Sequence, residues 1–110
     1  MQLLTRTIRQ TLPALYSQEP LGGQAIAHVK FFTPDSSWSW YVSEFDGQDT
    51  FFGLVDGHEK ELGYFSLAEL QSLRGPLGLP VERDLHWRAR PLEQIAPEIF
   101  RSSDPEDGAT

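Results

Sequence analysis

The stretch Phe31–Leu73, FFTPDSSWSWYVSEFDGQDTFFGLVDGHEKELGYFSLAELQSL, constrains the fold of this chain more than any other. It holds every aromatic residue of the protein except Tyr16, Trp87 and Phe100. Trp38 to Asp46 alternates as a strand does, with Trp38, Trp40, Val42 and Glu44 on one side and Ser39, Tyr41, Ser43 and Phe45 on the other. Gly47-Gln48-Asp49 makes a short hairpin into Thr50–Val55, and Asp56 to Lys60 turns the chain into a further short strand, Glu61–Phe65. Gly53 interrupts its strand without a side chain, which predicts a bulge or the close approach of a large neighbour, a Trp of the preceding strand being the candidate. Ser66-Leu67-Ala68-Glu69 then has the form of a capping box, with Phe65 and Leu70 placed as a hydrophobic staple. Leu67, Leu70 and Leu73 supply that helix's buried face, and Gly75-Pro76 stops it.

The flanks read as cover for this unit. Leu4, Ile8, Leu12 and Leu15 recur at helical spacing, with Thr5 as a cap and Pro13 ending or restarting the helix. Ser17 to Gln24 is a loop, and Ala25–Phe32, AIAHVKFF, is a first strand closed by a turn at Pro34. On the far side, GPLGLP over residues 75 to 80 forms a rigid apolar loop expected to lie across the core. Val81 to Arg90 reads as a last strand, and Pro91 opens a short helix that Pro97 interrupts. The expected fold is α+β: an antiparallel meander of four or five strands with an N-terminal helix, a capped central helix and a short C-terminal helix, the helices mainly on one face. Residues 1–100 form a single domain, and 101–110, polar and acidic, a disordered tail.

Charge and composition narrow the function classes. A net charge of −7 and a pI near 4.8 disfavour direct binding to nucleic acid or to anionic membranes, since phosphate recognition rests on Lys and Arg. With no cysteine, disulfides, thiolate metal sites and a Cys nucleophile are excluded. The N-terminal apolar residues are interrupted by Arg6, Arg9 and Gln10, and no apolar run is long enough to span a bilayer, which leads to the expectation of a cytoplasmic protein.

Motifs that carry chemistry are few. His28, His58 and His86 are scattered without the spacing of a helical metal motif. No G-x-S-x-G elbow or phosphate-binding loop is present, and Lys60 lacks the acid two positions before it that a metal-dependent nuclease pattern requires. No catalytic residue, metal ligand or cofactor is assigned. Glu44, Asp46, Asp56, Glu59, Glu61, Glu82 and Asp84 lie near strand ends or in turns, and of these Glu44, Asp46, Glu82 and Asp84 are the candidates for a metal-dependent hydrolase, although acids in turns are ordinary. Trp38 and Trp40, sharing a face with Glu44, are candidates for a protein interface. Arg83 and Asp84 complete the candidate set, Arg83 being expected to pair with Glu44 or Asp46 and so lock the C-terminal segment to the sheet.

Several runs also follow one another in a specific order. They are Phe31-Phe32-Thr33-Pro34, Ser37-Trp38-x-Trp40-Tyr41-x-x-Glu44-Phe45-Asp46, Phe51-Phe52-Gly53, Leu62-Gly63-Tyr64-Phe65-Ser66-Leu67-x-Glu69-Leu70 and Gly78-Leu79-Pro80-x-Glu82-Arg83-Asp84. Together they resemble a small bacterial family known as domain of unknown function 2958, from about residue 4 to residue 95. The resemblance implies a small stand-alone protein often carried on plasmids, integrative elements and phages, with no assigned activity and no catalytic residue to carry over. The leading expectation is a non-enzymatic accessory or protein-interaction module of mobile-element or host-defence context. Its partner would be another protein, of basic or nucleic-acid-handling kind. Two alternatives stand beside it: an acidic DNA mimic acting against restriction or defence systems, and the small metal-dependent hydrolase. Oligomeric state is open.

Overall fold

In the computed structural model, which describes residues 1–101, the aromatic stretch forms the expected meander. Helix α1 (Arg6–Thr11) and a 3-10 segment (Glu19–Gln24) precede strands β1 (Ile26–Ala27), β2 (Val29–Phe32), β3 (Ser39–Phe45), β4 (Thr50–Asp56) and β5 (Lys60–Ser66). Helix α2 (Leu67–Ser72), strands β6 (Glu82–Arg83) and β7 (Arg90–Pro91), and helices α3 (Leu92–Ile95) and α4 (Pro97–Arg101) follow. The main sheet has five antiparallel strands in the order β5-β4-β3-β2-β6, and β1 pairs with β7 in a separate two-stranded ribbon. Arg101 closes α4; the rest of the expected tail lies outside the described residues.

A bulge in β3 determines which side chains face which way. Pairing with β4 runs from Ser39↔Asp56 to Val42↔Gly53 and resumes at Glu44↔Phe52 and Phe45↔Phe51, so Ser43 is an extra residue. Backbone accommodates it only because residue 53 is glycine: a Cβ there would run into the Tyr41 carbonyl oxygen. The close neighbour is therefore the β3 main chain rather than a Trp ring. Alternation reverses at the bulge. Trp40, Val42 and Phe45 face one side, while Glu44, paired beside Phe52, passes to the other. The single face expected for Trp38, Trp40, Val42 and Glu44 is thus divided.

Both faces of the sheet are covered, where helices mainly on one were expected. On the first, Phe31, Trp40, Phe45, Phe51 and Phe65 pack under Leu67 and Leu70 of α2 and under Leu3 and Leu4. The Phe51 ring is fully buried, with the Phe45, Phe65 and Phe31 centroids 4.7, 5.4 and 5.7 Å away. The second face buries Tyr41 and Leu54 under Ala25, Ala27, Leu92 and Ala96. Small Ala25, Ala27 and Ala96 side chains at the contacts suit this cover of short helices, and Pro97 divides the C-terminal segment into α3 and α4.

Local signals decide the element ends. Thr5 caps α1, accepting from the Ile8 N–H at 3.2 Å, and the helix stops at Leu12, held extended before Pro13. Ser66 accepts from the Glu69 N–H at 3.2 Å, as its motif predicts. Its second partner is Asp49 from the preceding hairpin, which takes the Ser66 hydroxyl at 2.7 Å and the Ala68 N–H at 2.8 Å. The expected last strand contracts to β6 and β7, since the Asp84 carboxylate accepts from the His86 N–H at 2.9 Å and turns the chain between them. The apolar loop does not cross the core. Asp35 accepts from the Leu77 and Leu79 N–H groups at 2.7 and 3.3 Å and holds it at the rim, with Leu77 80% exposed. Among the described residues no helix is long and apolar enough to cross a membrane.

Candidate functional site

The residues singled out from sequence do not converge; they distribute over three hollows. Trp38 and Trp40, with ring centroids 6.0 Å apart, line one of about 320 Å³ beside Leu73 and Pro76. Trp40 is buried in the first core, whereas Trp38 is half-buried, lies against Gly57 and meets the His58 ring edge-on at 5.4 Å. Arg83 and Asp84 line a second hollow of about 250 Å³ with His28 and Trp87. Burial lowers the pKa of His28 there. Arg83 pairs with neither Glu44 nor Asp46. It donates to the Gln2 and Leu3 carbonyls at 2.6 and 2.8 Å and so ties the N-terminus to β6. Asp84 reaches Lys30 at 4.0 Å, and the Trp87 ring lies beneath Lys30 and Arg90 at 6.0 and 4.6 Å, so this flank gathers cations.

The third hollow, about 300 Å³, lies on the second face of the sheet and carries the most chemistry. Its floor is β3 and β4, where the bulge presents Ser43 and Glu44 side by side and Phe52 stands next to Glu44. One wall is the edge strand β5, through Leu62 and Tyr64; opposite are Leu92 of α3 and Phe100 of α4. The segment before the 3-10 turn closes the end. Phe45 N–H donates to the Pro13 carbonyl at 2.9 Å, and the chain then bends at Tyr16, whose φ of 71° is uncommon for a non-glycine residue. That bend aims two backbone N–H groups at Glu44: Tyr16 donates to Oε1 and Gln18 to Oε2, each at 2.8 Å.

Glu44 is 3% exposed, and these two amides are its only hydrogen-bond donors among the described residues. Ser43 is 1% exposed, and its hydroxyl has no hydrogen-bond partner among the described residues. Rings surround the pair: Phe52 and Tyr64 lie 5.0 Å apart at 59°, and Tyr16 meets Tyr64 edge-on at 6.4 Å. The mouth is open, with Tyr16 61% and Tyr64 55% exposed. The Tyr64 phenol is held above its ordinary pKa by partial desolvation, by the neighbouring Tyr16 phenol, and by the negative charges of Glu44 and Glu19.

Of the sequence candidates only Glu44 belongs to this cleft. Ser43, Tyr16, Phe52, Leu62 and Tyr64 escaped sequence reading, because alternation counted through the bulge puts Ser43 and Glu44 on opposite faces; Gly53 was the one signal pointing to it. The hydrolase carboxylates are dispersed. Asp46 accepts from the Gln48, Asp49 and Thr50 N–H groups at 2.8, 2.8 and 3.0 Å, closing the hairpin, and those bonds lower its pKa. Glu82 and Asp84 lie beyond β2, on the other flank of the sheet. Among the described residues no three His, Asp or Glu side chains are grouped so as to hold a metal ion.

Comparison with curated proteins and with solved structures finds no match. One family does match, described as Protein of unknown function (DUF2958), over residues 3–96. That span takes in both cores, the bulge and the cleft except for Phe100, and the chain belongs to this family.

Proposed function

We propose that the protein is a small, non-enzymatic binding module that receives part of another protein in the cleft between β5 and the 3-10 segment, in a mobile-element or host-defence setting. The observation that carries this reading is the open aromatic rim: Tyr16 and Tyr64, more than half exposed, stand beside exposed Leu62 over a concave, largely apolar cleft. Exposed aromatic residues around a concavity are typical anchors of protein interfaces. Beside the rim runs β5, a seven-residue edge strand that among the described residues pairs only with β4, which suits an extended segment lying along it. Trp38 plays a smaller part in this reading, since its ring is committed to Gly57 and His58.

Selection of phage-displayed peptides on the full chain tests the proposal. Wild-type protein is expected to enrich a consensus peptide family that a Leu62→Asp/Tyr64→Asp variant, confirmed folded by circular dichroism, fails to retain. Recovery of the same clones on the variant, or no enrichment on the wild type, would overturn it.

A further inference from the structure

We infer that the base of this cleft recognises a primary alkylammonium group, carried by a lysine side chain or by a free aliphatic amine; this rests on the binding-module reading and assigns its ligand chemistry. An ionised carboxylate offers about four acceptor positions, and Glu44 uses only two. The ion pairs among the described residues are Lys30–Asp84 and Lys60–Glu98, so this buried carboxylate has no cation beside it. Leaving a carboxylate out of water without a counter-charge is unfavourable, and an incoming cation removes that penalty. The second, independent observation is Ser43. Its buried hydroxyl lines the same cavity without a partner among the described residues, and buried hydroxyls are almost always hydrogen-bonded.

A donor-bearing cation satisfies both groups at once. An ammonium has three N–H donors and a compact charge, which suits two separate acceptors on neighbouring residues. Guanidinium fits less well, because its rigid planar fork is matched to the two oxygens of one carboxylate rather than to separate acceptors on two neighbouring residues. A quaternary ammonium would leave Ser43 unpaired. The walls complete the case: the tilted faces of Phe52 and Tyr64 attract a cation, and Leu62 and Leu92 pack against an aliphatic stem. Glu19 at the mouth adds negative charge along the entry.

The test is titration of the full-length, isotope-labelled protein, followed by amide NMR shifts. The probes are butylamine, a lysine-containing pentapeptide acetylated at its N-terminus, and the same peptide acetylated also on the lysine amine. Saturable shifts of the Ser43, Glu44 and Tyr64 amides are expected with the first two and not with the third. A peptide bound at least about tenfold tighter than butylamine identifies a protein lysine as the source, and equal affinities a free amine. Ser43→Ala is expected to weaken either probe about tenfold, the effect of one hydrogen bond to a charged group. Without ligand the same variant should melt no lower than wild type, because an unpaired buried hydroxyl is removed. Glu44→Gln should abolish binding; if that variant does not fold, Ser43→Ala and Tyr64→Leu carry the test. Equal shifts with the acetylated peptide would overturn charge recognition while leaving the apolar binding cleft standing. Unchanged affinity in Ser43→Ala, or no saturable shift with either amine, would also overturn it.

Discussion

At the scale of single residues, Gly53 and Ser43 decide more than the tryptophans do. Ser43 is the residue by which β3 exceeds β4, and Gly53 is where the β3 backbone needs room. Substituting Gly53→Ala puts a methyl against the Tyr41 carbonyl, main chain that cannot step aside without opening the sheet. The expected loss is about 2–3 kcal/mol by the cost of overpacking, read as a lower urea midpoint with an unchanged slope. Gly63→Ala on the neighbouring strand is the matched control, since nothing lies within 4 Å of its added methyl. The glycine was visible in the sequence as a break in a strand. What it made room for was not, because the approaching atom belongs to a strand paired with it only after folding.

At the scale of elements, the meander and its exit helix were legible because each boundary carries its own chemistry. Residues that can accept from backbone N–H groups stand at the turns and caps: Asp46 in the hairpin, Thr5 and Ser66 at the helix starts. Asp49 was not legible as a cap, since it acts seventeen residues away from Ser66 in sequence. Its carboxylate serves both the Ser66 hydroxyl and the Ala68 N–H, joining the β3–β4 hairpin to α2. Asp49→Ala should therefore cost about 2 kcal/mol, the upper end for a helix cap, and at least as much as Ser66→Ala. Thermal unfolding of the two single variants and the double variant measures this. The double should fall short of the sum, because the residues share a hydrogen bond.

At the scale of the whole molecule, two small cores share one sheet, and the flanks are held down by separate ties. Arg83 fastens the N-terminal residues to β6, and Glu44 fastens the segment around Tyr16 to the end of β3. His28 sits where β1 leaves the main sheet for its ribbon with β7, partly desolvated and with its pKa below 6.5. The unfolded chain takes up a proton there first, so stability should be complete above about pH 6.5 and fall as pH drops toward the lower folded value. Denaturant midpoints at pH 7.5 and 5.5 check this, and His28→Gln should reduce the difference between them. By itself, the sequence determined the α+β class, the meander, the capped helix and the absence of the familiar catalytic motifs, because these follow from periodicity and short-range chemistry. Only the tertiary structure decided the rest. A single bulged residue turned Glu44 away from the tryptophans and beside Ser43, and the short C-terminal turns folded over that face. The aromatic stretch that organises the fold therefore also supplies the floor and one wall of the cleft, but Tyr16, from outside it, closes the site.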